Sequence, residues 1–451
     1  MGLAWILLLN ACAPPPVSYR RIAADLEART GRTVSLRDPV AANQPQPTMD
    51  ADLPEGIMLD DGLSDDEAVS TALWNNAAFQ ETLADLGMSR ADLVQARMLP
   101  NPTLSMFIPI GAKPLELTAT LPFEFLWLRP RRSAIAEIDY DRVASRLVQN
   151  GLDLIRDVRV AYANVSQAMR QVSIVDDNAA TTTEIAQIAG RRLAAGEISE
   201  IESDAAELDA ATAGERATRA AYDVQLARQR LVNLMGLPDG GWSLATADQR
   251  LPLVSDDAAA LVNTAMSSRP DLRAAELGLE AAGKRIGLAR AETFVVAAGV
   301  NAKEVDGPFL AGPALNLAVP ILNQNQGGVA IADAVFDKAA RQYESTRQRI
   351  ELEVRQAHSR LRQAQQSSAT WNEVIVPRLA NALAAGKNAY SSGSESFLFV
   401  LETSRRLTEA RLNQSTALGD FQRARAELER SIGGRLPAAD ERGQGSDADF
   451  N

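Results

Sequence analysis

The chain has 451 residues and a formal net charge of −12, and aromatic side chains make up only 5% of it. This acidic balance argues against nucleic acid as a partner, because phosphate binding needs a basic surface. The single Cys excludes an intrachain disulfide and a Cys-based metal site. Frequent Ala and scarce aromatics favour an elongated body of closely packed helices.

The first twelve residues form an apolar run that ends in Cys12. The run is too short to span a bilayer as a helix, which takes about 20 residues, but it has the length of a signal-peptide core. Leu9-Asn-Ala-Cys12 resembles the bacterial lipobox, so residues 1–12 are predicted to be a lipoprotein signal peptide with Cys12 lipidated. A buried structural Cys is the alternative. In lipoproteins of this kind, Ala13 rather than Asp after the Cys points to the outer membrane.

Residues 13–63 are rich in Pro, Asp and Gln, which predicts an irregular N-terminal tether. At most one short helix is expected there, near residues 22–28. Ser64-Asp-Asp-Glu67 then has the pattern of a capping box at a helix start. This helix is expected to run to about Leu99, because Pro100-Asn-Pro102 follows and cannot continue it.

Two short alternating strands and a long helix come next, and the same series returns in the second half. The hairpins are predicted at residues 102–122 and 294–321. In Leu115-Glu-Leu-Thr-Ala-Thr-Leu-Pro122, apolar residues alternate with Glu and Thr. That alternation is typical of a membrane barrel strand and also of a half-buried strand in a soluble sheet. The predicted units are residues 64–254 for the first repeat, 255–434 for the second and 435–451 for a disordered tail.

Each long helix carries a seam of mostly small or apolar residues at alternating spacings of four and three, the heptad pattern of supercoiled helices. The helices are expected over residues 131–193 and 327–390, roughly 90 Å each, with a kink at Pro377. Both end at a Gly-bearing turn and are followed by a return helix. The seams are Leu147, Gly151, Leu154, Val158, Ala161, Val165, Ala168, Val172 and Val175, then Tyr343, Arg347, Ile350, Val354, Ala357, Leu361, Ala364, Ser368 and Trp371.

Four strands cannot close a membrane barrel, and an open sheet edge cannot lie in lipid. Helices of this length also need partners for their heptad faces, and one chain supplies few. If the strands lie in a membrane, several copies must therefore contribute to one barrel. Three copies would give twelve strands, an even number.

The ordered and doubled set of elements resembles the TolC-type outer membrane efflux proteins, particularly the lipidated members paired with RND (resistance-nodulation-division) pumps. The motifs that carry the resemblance are Arg269-Pro-Asp-Leu272, Val319-Pro-Ile-Leu-Asn-Gln-Asn-Gln-Gly327 and the two Gly-centred turns. It implies a mainly α fold with a small β part: a long coiled α-helical barrel plus a transmembrane β-barrel. Two internal repeats and four strands per chain would build a homotrimer, with an equatorial segment before residue 64.

The resemblance also implies a location and partners. The protein would sit in the outer membrane of a Gram-negative bacterium, lipid-anchored and extending into the periplasm. It would dock on a periplasmic adaptor protein and an inner-membrane RND-type transporter, without a cofactor. By motif position, the tip turns at Gly196 and Gly393 would contact the adaptor. The entrance or gate residues would be Glu202, Tyr390, Glu395, Phe399 and Glu402.

Two of these positions depart from the family pattern. Glu395 stands where a basic residue is expected and Phe399 where an entrance Asp is expected, so the family's Tyr–Asp–Arg latch cannot form as such. Threefold symmetry would turn Glu202, Glu395 and Glu402 into rings of like charge, which favour cation passage. The alternative is that these residues only solvate helix ends.

The sequence thus predicts a passive conduit that exports small molecules or cations and catalyses nothing. A type I secretion duct and a non-transporting periplasmic coiled-coil scaffold are the alternatives. An enzyme is disfavoured, because no nucleophile–base pair, phosphate-binding loop or metal-ligand cluster is evident. The single His358 is expected to be an ordinary solvated residue. Nothing in the sequence names the cargo.

Overall fold

A computed structural model describes residues 18–37, 53–54, 56–57, 62–108, 115–238, 242–245, 257–304, 308–392, 394 and 396–436. Cys12, Gly393 and Glu395 lie outside these residues, as do most of the N-terminal tether and the tail beyond residue 436. The described chain is mainly helical with one small sheet, as expected. Within it, no helix has the length and apolarity needed to cross a bilayer.

The two repeats present the same elements in the same order. The first contains α2 (Asp65–Asn75), α3 (Ala77–Arg97), β1 (Thr103–Phe107), β2 (Glu116–Pro122), α4 (Phe125–Ala194) and α5 (Glu200–Met235), and is preceded by α1 (Arg20–Thr30). The second contains α6 (Ala258–Ser268), α7 (Pro270–Ala291), β3 (Val295–Glu304), β4 (Phe309–Ala318), α8 (Gln326–Ala369), α9 (Val376–Ser391) and α10 (Phe397–Ser431).

The helix expected between Ser64 and Leu99 is in fact two helices. Its start is as predicted: Ser64 and Glu67 form a capping box, in which Glu67 N donates to Ser64 Oγ at 3.3 Å and Ser64 N donates to the Glu67 carboxylate at 2.8 Å. Asn76 then ends α2 and caps α3, because its side chain accepts a hydrogen bond from Phe79 N at 2.9 Å. An Asn side chain that bonds the backbone in this way competes with helix continuation.

The long helices differ from each other more than their sequences suggested. Helix α4 begins at Phe125, earlier than expected, and runs unbroken for 70 residues. The second long helix is interrupted by a π-helical turn at Thr370–Ile375, directly before Pro377. Proline has no N–H to donate to the carbonyl four residues earlier, which here belongs to Glu373. The predicted disturbance at Pro377 is therefore a π-turn between α8 and α9.

The predicted seams are largely buried. In α4 every seam residue is buried except Val172, which is half-buried. In α8 the six seam residues from Ile350 to Ser368 are buried, but Arg347 is exposed and Thr346 is buried instead. The expectation at Arg347 was wrong: its first-repeat counterpart, Gly151, is covered by α1, and within the described residues no equivalent of α1 lies beside α8.

Helix α1 belongs to the core of the first repeat. Its side chains Ile22 and Leu26 are buried. A Cβ added to Gly151 of α4 would lie only 2.9 Å from the methyl carbons of Leu26, so α1 packs directly on the α4 backbone there. One core cluster combines α1 to α5, and a second combines α6, α7, α8 and α10. Helix α10 also packs along α4, so it connects the two repeats.

The four strands form one antiparallel sheet in the order β1-β2-β3-β4. Strand β2 of the first repeat pairs with β3 of the second, with Ala119 opposite Val300 and Leu117 opposite Ala302. The register places Leu104 of β1 on the same face, opposite Ala119. The sheet therefore joins the two repeats at one end of the helices.

Candidate functional site

The sheet has one apolar and one polar face. Directly paired residues share a face and successive residues alternate, so the register assigns every strand residue to one side. Only Glu304, at the end of β3, is polar on the apolar face. The residues of that face are Leu104 and Met106, Leu117, Ala119 and Leu121, Val296, Ala298, Val300 and Ala302, and Phe309, Ala311, Pro313, Leu315 and Leu317.

The other face carries most of the polar side chains of the sheet, and they bond across the strands. The hydroxyls of Thr103 and Thr120 are 2.5 Å apart, and Asn301 Nδ2 donates to Thr118 Oγ1 at 2.8 Å. Lys303 forms an ion pair with Glu116 at 2.9 Å. The large apolar residues on this face, Phe107, Val295 and Leu310, lie at or next to strand ends. The alternation expected from Leu115 to Pro122 thus extends to β1 and to the Asn301–Lys303 part of β3, whereas β4 has only Asn316 as a polar residue on this face.

Both the apolar face and the two sheet edges are uncovered. Leu104 is 71% exposed, Leu315 70% and Leu317 55%. Strands β1 and β4 each have a neighbour on one side only, so their outer N–H and C=O groups have no strand partner within the described sheet. A flat water-facing surface of this kind is unfavourable and marks a face that something else covers.

The first helical tip joins α4 to α5 at Gly196. Gly196 has φ of +76°, the left-handed conformation that favours glycine, and Glu197 N donates to Arg192 O at 2.9 Å. Ser199 and Glu202 then form a second capping box, with Ser199 N donating to the Glu202 carboxylate at 3.0 Å. The carboxylate of the predicted entrance residue Glu202 is therefore engaged in the capping box of its own helix, whose cap is Ser199.

The second tip joins α9 to α10. Tyr390 lies in the last turn of α9, and Ser396 caps α10 by accepting a hydrogen bond from Phe399 N at 3.3 Å. The Phe399 ring packs on α9: a Cβ added to Gly386 would lie 2.9 Å from its Cε1. Phe399 thus holds the two helices of this tip together by apolar contact at the position where an entrance Asp was expected.

The remaining predicted gate residue, Glu402, is paired within its own helix. Its carboxylate accepts a hydrogen bond from Arg406 Nε at 2.8 Å. The adjacent Arg405 forms an ion pair with Asp209 of α5, and Thr408 Oγ1 donates to Asn178 Oδ1 of α4 at 3.0 Å. These contacts line a groove of about 520 Å³ between α4, α5 and α10. Sequence reasoning missed the Arg405–Asp209 ion pair, which joins α5 to α10 across this groove.

The duplicated architecture is matched by known proteins. A family model described as outer membrane efflux protein matches residues 68–237 and again residues 261–434, once for each repeat. The chain belongs to the outer membrane efflux protein family. The predicted TolC-type resemblance is therefore confirmed.

Relatives of this efflux family cover most of the chain. The cobalt-zinc-cadmium resistance protein CzcC of Cupriavidus metallidurans is 25% identical over 81% of this chain and 89% of its own. Outer membrane protein OprJ of Pseudomonas aeruginosa is 26% identical over 95% of this chain and 94% of its own. The open-state MtrE outer membrane channel of Neisseria gonorrhoeae superposes with a TM-score of 0.68 at 18% identity, covering 87% of this chain and 98% of MtrE, which shows the shared fold.

One motif of the efflux family resemblance has a structural role that the sequence did not reveal. Arg269 precedes α7, and its side chain is fully buried. It bonds both carboxylate oxygens of Asp271, at 2.9 and 2.6 Å, and also donates to Glu353 of α8 at 2.7 Å and to Ser431 O at the end of α10 at 3.1 Å. Arg269 thereby fixes the start of α7 against the long helix α8 and the return helix α10 of the second repeat.

The charges around Arg269 extend into the first repeat. Arg430 of α10 donates to Glu353 at 2.6 Å and to Asp153 of α4 at 2.7 Å. Burial alone would raise the pKa of Asp271, but the hydrogen bonds and charge of Arg269 outweigh it and lower that pKa. Within the described residues, no group of three or more His, Cys, Asp or Glu side chains could hold a metal ion.

Proposed function

We propose that the protein is a passive outer-membrane conduit for efflux, assembled from three copies. The observation that carries this proposal is the two-faced sheet, which has an exposed apolar face and two open edges. Membership in the outer membrane efflux protein family supports it. The conduit itself performs no chemistry, and transport energy comes from a partner pump.

The faces of the sheet fit a lipid boundary on one side and a water-filled lumen on the other. Outward apolar and inward polar residues alternate in membrane barrels, and all backbone groups must be paired in lipid. Because β1 and β4 are open, β4 of one copy pairs with β1 of the next. Three copies then close a barrel of twelve strands.

The helices support the same assembly. Large apolar side chains remain exposed along α5, including Ile201, Leu208 and Leu226, and along α8, including Ile331 and Leu352. Within one chain, α5 packs on α4, and α8 packs on α7 and α10. Their outer faces are buried when α5 of one copy lies beside α8 of another, which extends the closed barrel as a helical tube.

The ends of the tube define its connections. The turns at Gly196 and Gly393 contact a periplasmic adaptor, and the adaptor joins the conduit to an inner-membrane RND-type transporter. Lipidated Cys12 anchors the N-terminus in the outer membrane. The cargo is small molecules or cations, in keeping with the cobalt-zinc-cadmium resistance named for CzcC. Glu202, Tyr390, Glu395, Phe399 and Glu402 surround the entrance.

Two neighbouring residues on opposite faces of β4 test the conduit. Leu315 lies on the apolar face and Asn316 on the polar face. An Arg on the lipid side of a barrel costs about 2–4 kcal/mol at mid-membrane, whereas a lumen position tolerates it. We expect Leu315→Arg to abolish the trimer in detergent and its conductance in planar bilayers, and Asn316→Arg to retain both.

The same preparations separate a conduit from a periplasmic scaffold. A conduit needs detergent even when Cys12→Ser removes the lipid, because the apolar face remains. A Cys12→Ser protein that is monomeric without detergent and conducts nothing would overturn the proposal. Equal tolerance of Leu315→Arg and Asn316→Arg would likewise show that the apolar face does not meet lipid.

A further inference from the structure

A pocket near the middle of the molecule is lined by an unusual number of arginines. Arg32 follows α1, Arg159 lies on α4, Arg425 on α10, and Arg435 follows α10. Together they surround a cavity of about 210 Å³, which has the volume of about seven waters at roughly 30 Å³ each. The cavity, here named the arginine pocket, is separate from the sheet and from both helical tips.

The carboxylates around the arginine pocket are fewer than the guanidinium groups. Asp65 and Glu429 line it, and Asp66 beside it pairs with Arg32. Glu429 accepts from both Arg159 and Arg425, the latter at 3.1 Å. Among the described residues, Arg435 forms no ion pair. Four cations therefore face three carboxylates, in a chain whose net charge is −12.

Several polar atoms of the arginine pocket have no partner. The Nε atom of Arg32 is buried and donates no hydrogen bond, whereas the buried Nε of Arg159 donates none but lies 3.3 Å from Asp65 Oδ2 in an ion pair. The buried Oε1 of Gln422 and Oδ1 of Asp66 accept no hydrogen bond. Rotating the Gln422 amide by 180° would put its NH₂ group at the position of Oε1, where it could donate a hydrogen bond. An unpaired buried N–H group is costly, so the Nε–H of Arg32 calls for an acceptor.

The electrostatics of the neighbouring groups agree with a shortage of negative charge. Burial and the charges of Arg435 and Arg159 lower the pKa of Arg32, because like charges disfavour its cation. Burial also raises the pKa of Asp65, one of the two carboxylates that line the pocket. A bound anion would relieve the repulsion among the three guanidinium groups.

We propose that the arginine pocket binds a small oxyanion of the phosphate type. Guanidinium groups bind such anions with directional, charge-assisted hydrogen bonds, and several can share one anion. The bound anion would connect the end of α1, the middle of α4 and the segment after α10. It would act as a structural ligand that holds the two ends of the described chain on the first repeat.

The test uses full-length protein in detergent, titrated with inorganic phosphate at constant ionic strength by calorimetry. We expect saturable binding of one phosphate per chain. Arg435→Gln, which removes the arginine without an ion pair, is expected to weaken binding by roughly tenfold or more, the effect of losing one charge-assisted hydrogen bond. Arg378→Gln removes an exposed charge from α9 and should leave the affinity unchanged.

Further arms make the outcome decisive. Glycerol phosphate is titrated in parallel: binding of both ligands indicates a phosphate group on a larger molecule, and binding of inorganic phosphate alone indicates a free ion. Arg425→Gln provides a second pocket variant, and circular dichroism and gel filtration confirm that each variant is folded. The absence of saturable phosphate binding, or equal affinities in Arg435→Gln and Arg378→Gln, would overturn the proposal.

Discussion

The two repeats share one order of elements but are held in different ways. In the first, α4 is continuous over 70 residues and α1 lies on it at Gly151. In the second, a π-turn interrupts the long helix and the counterpart of Gly151 is the exposed Arg347. The first long helix is thus packed more closely at this position. The two repeats share the order of their elements but not the contacts that hold the long helix in place.

Corresponding helix starts show the same contrast. Asn76 before α3 and Arg269 before α7 both reach the end of a return helix: Asn76 Nδ2 donates to Leu234 O at 2.9 Å, and Arg269 to Ser431 O at 3.1 Å. The first repeat makes this contact with a neutral amide. The second makes it with a buried charge that needs Asp271 and Glu353 as counter-ions.

Substitutions at these two helix starts should give the largest difference in stability. Removing one partner of a buried ion pair costs about 3–5 kcal/mol, because the other charge stays buried. Loss of an Asn cap costs about 1 kcal/mol. We therefore expect Arg269→Gln to lower the free energy of unfolding several times more than Asn76→Ala, measured by denaturant titration of tryptophan fluorescence. Similar losses would contradict the contrast between the repeats.

The buried charge should also make stability depend on pH. Folding lowers the pKa of Asp271 below its ordinary value of 3.8, so its contribution is complete above that value. The contribution is lost as pH falls from 3.8 through the lower folded pKa. We expect the acid limb of the melting-temperature profile to be less steep in Arg269→Gln than in the unaltered protein. Parallel acid limbs would show that Asp271 is not the group involved.

The next effect concerns the packing of α1. A Cβ at Gly151 would meet the buried Leu26, and overpacking a core typically costs about 1–3 kcal/mol. Gly151→Val should therefore lower the melting temperature, whereas Arg347→Val at the corresponding exposed position should change it little. The additional substitution Leu26→Ala should partly rescue Gly151→Val. Without that rescue, contact with α1 is not the cause.

The interruption of the second long helix predicts a smaller, local effect. Replacing Pro377 with Ala supplies the missing N–H donor for the carbonyl of Glu373. We expect slower amide hydrogen exchange across Thr370–Ile375, with exchange in the unbroken middle of α4 unchanged. Exchange rates that do not change in Pro377→Ala would mean that Pro377 does not cause the π-turn.

The smallest expected effect is at the entrance. Arg406 neutralises much of the Glu402 charge, since their side chains are 2.8 Å apart. Glu402→Gln should therefore reduce the cation selectivity of single channels only slightly, whereas Arg406→Gln should increase it by releasing the carboxylate. Selectivity that is unchanged in both variants would remove Glu402 from the conduction path.

Regular patterns allowed much of this structure to be predicted. The heptad seams identified the buried stripe of both long helices, and the alternation in Leu115–Pro122 identified the apolar side of the sheet. The exceptions depend on contacts between distant residues. The Asn76 side chain at the break bonds Leu234 O at the end of α5 as well as Phe79 N, and the exposure of Arg347 goes with the lack of a helix like α1 beside α8 within the described chain.

The entrance was the least predictable part. The residues expected there were identified by position, but their partners were not: Glu202 bonds Ser199 at the start of α5, Phe399 packs on α9 and Glu402 pairs with Arg406. Such local bonds depend on side-chain geometry rather than on spacing. The arginine pocket could not be predicted from the sequence either. Its four arginines are spread along most of the chain, and the chain is acidic as a whole.

The meeting of α1 with the end of α10 has a consequence for biosynthesis. Arg435 N donates to Arg29 O at 3.0 Å, and Arg29 in turn donates to Gly433 O at 3.1 Å. These hydrogen bonds between α1 and the segment after α10 can form only after α10 has been synthesised. Contacts so distant in sequence slow folding, and they keep the growing polypeptide from reaching its final form while translation continues.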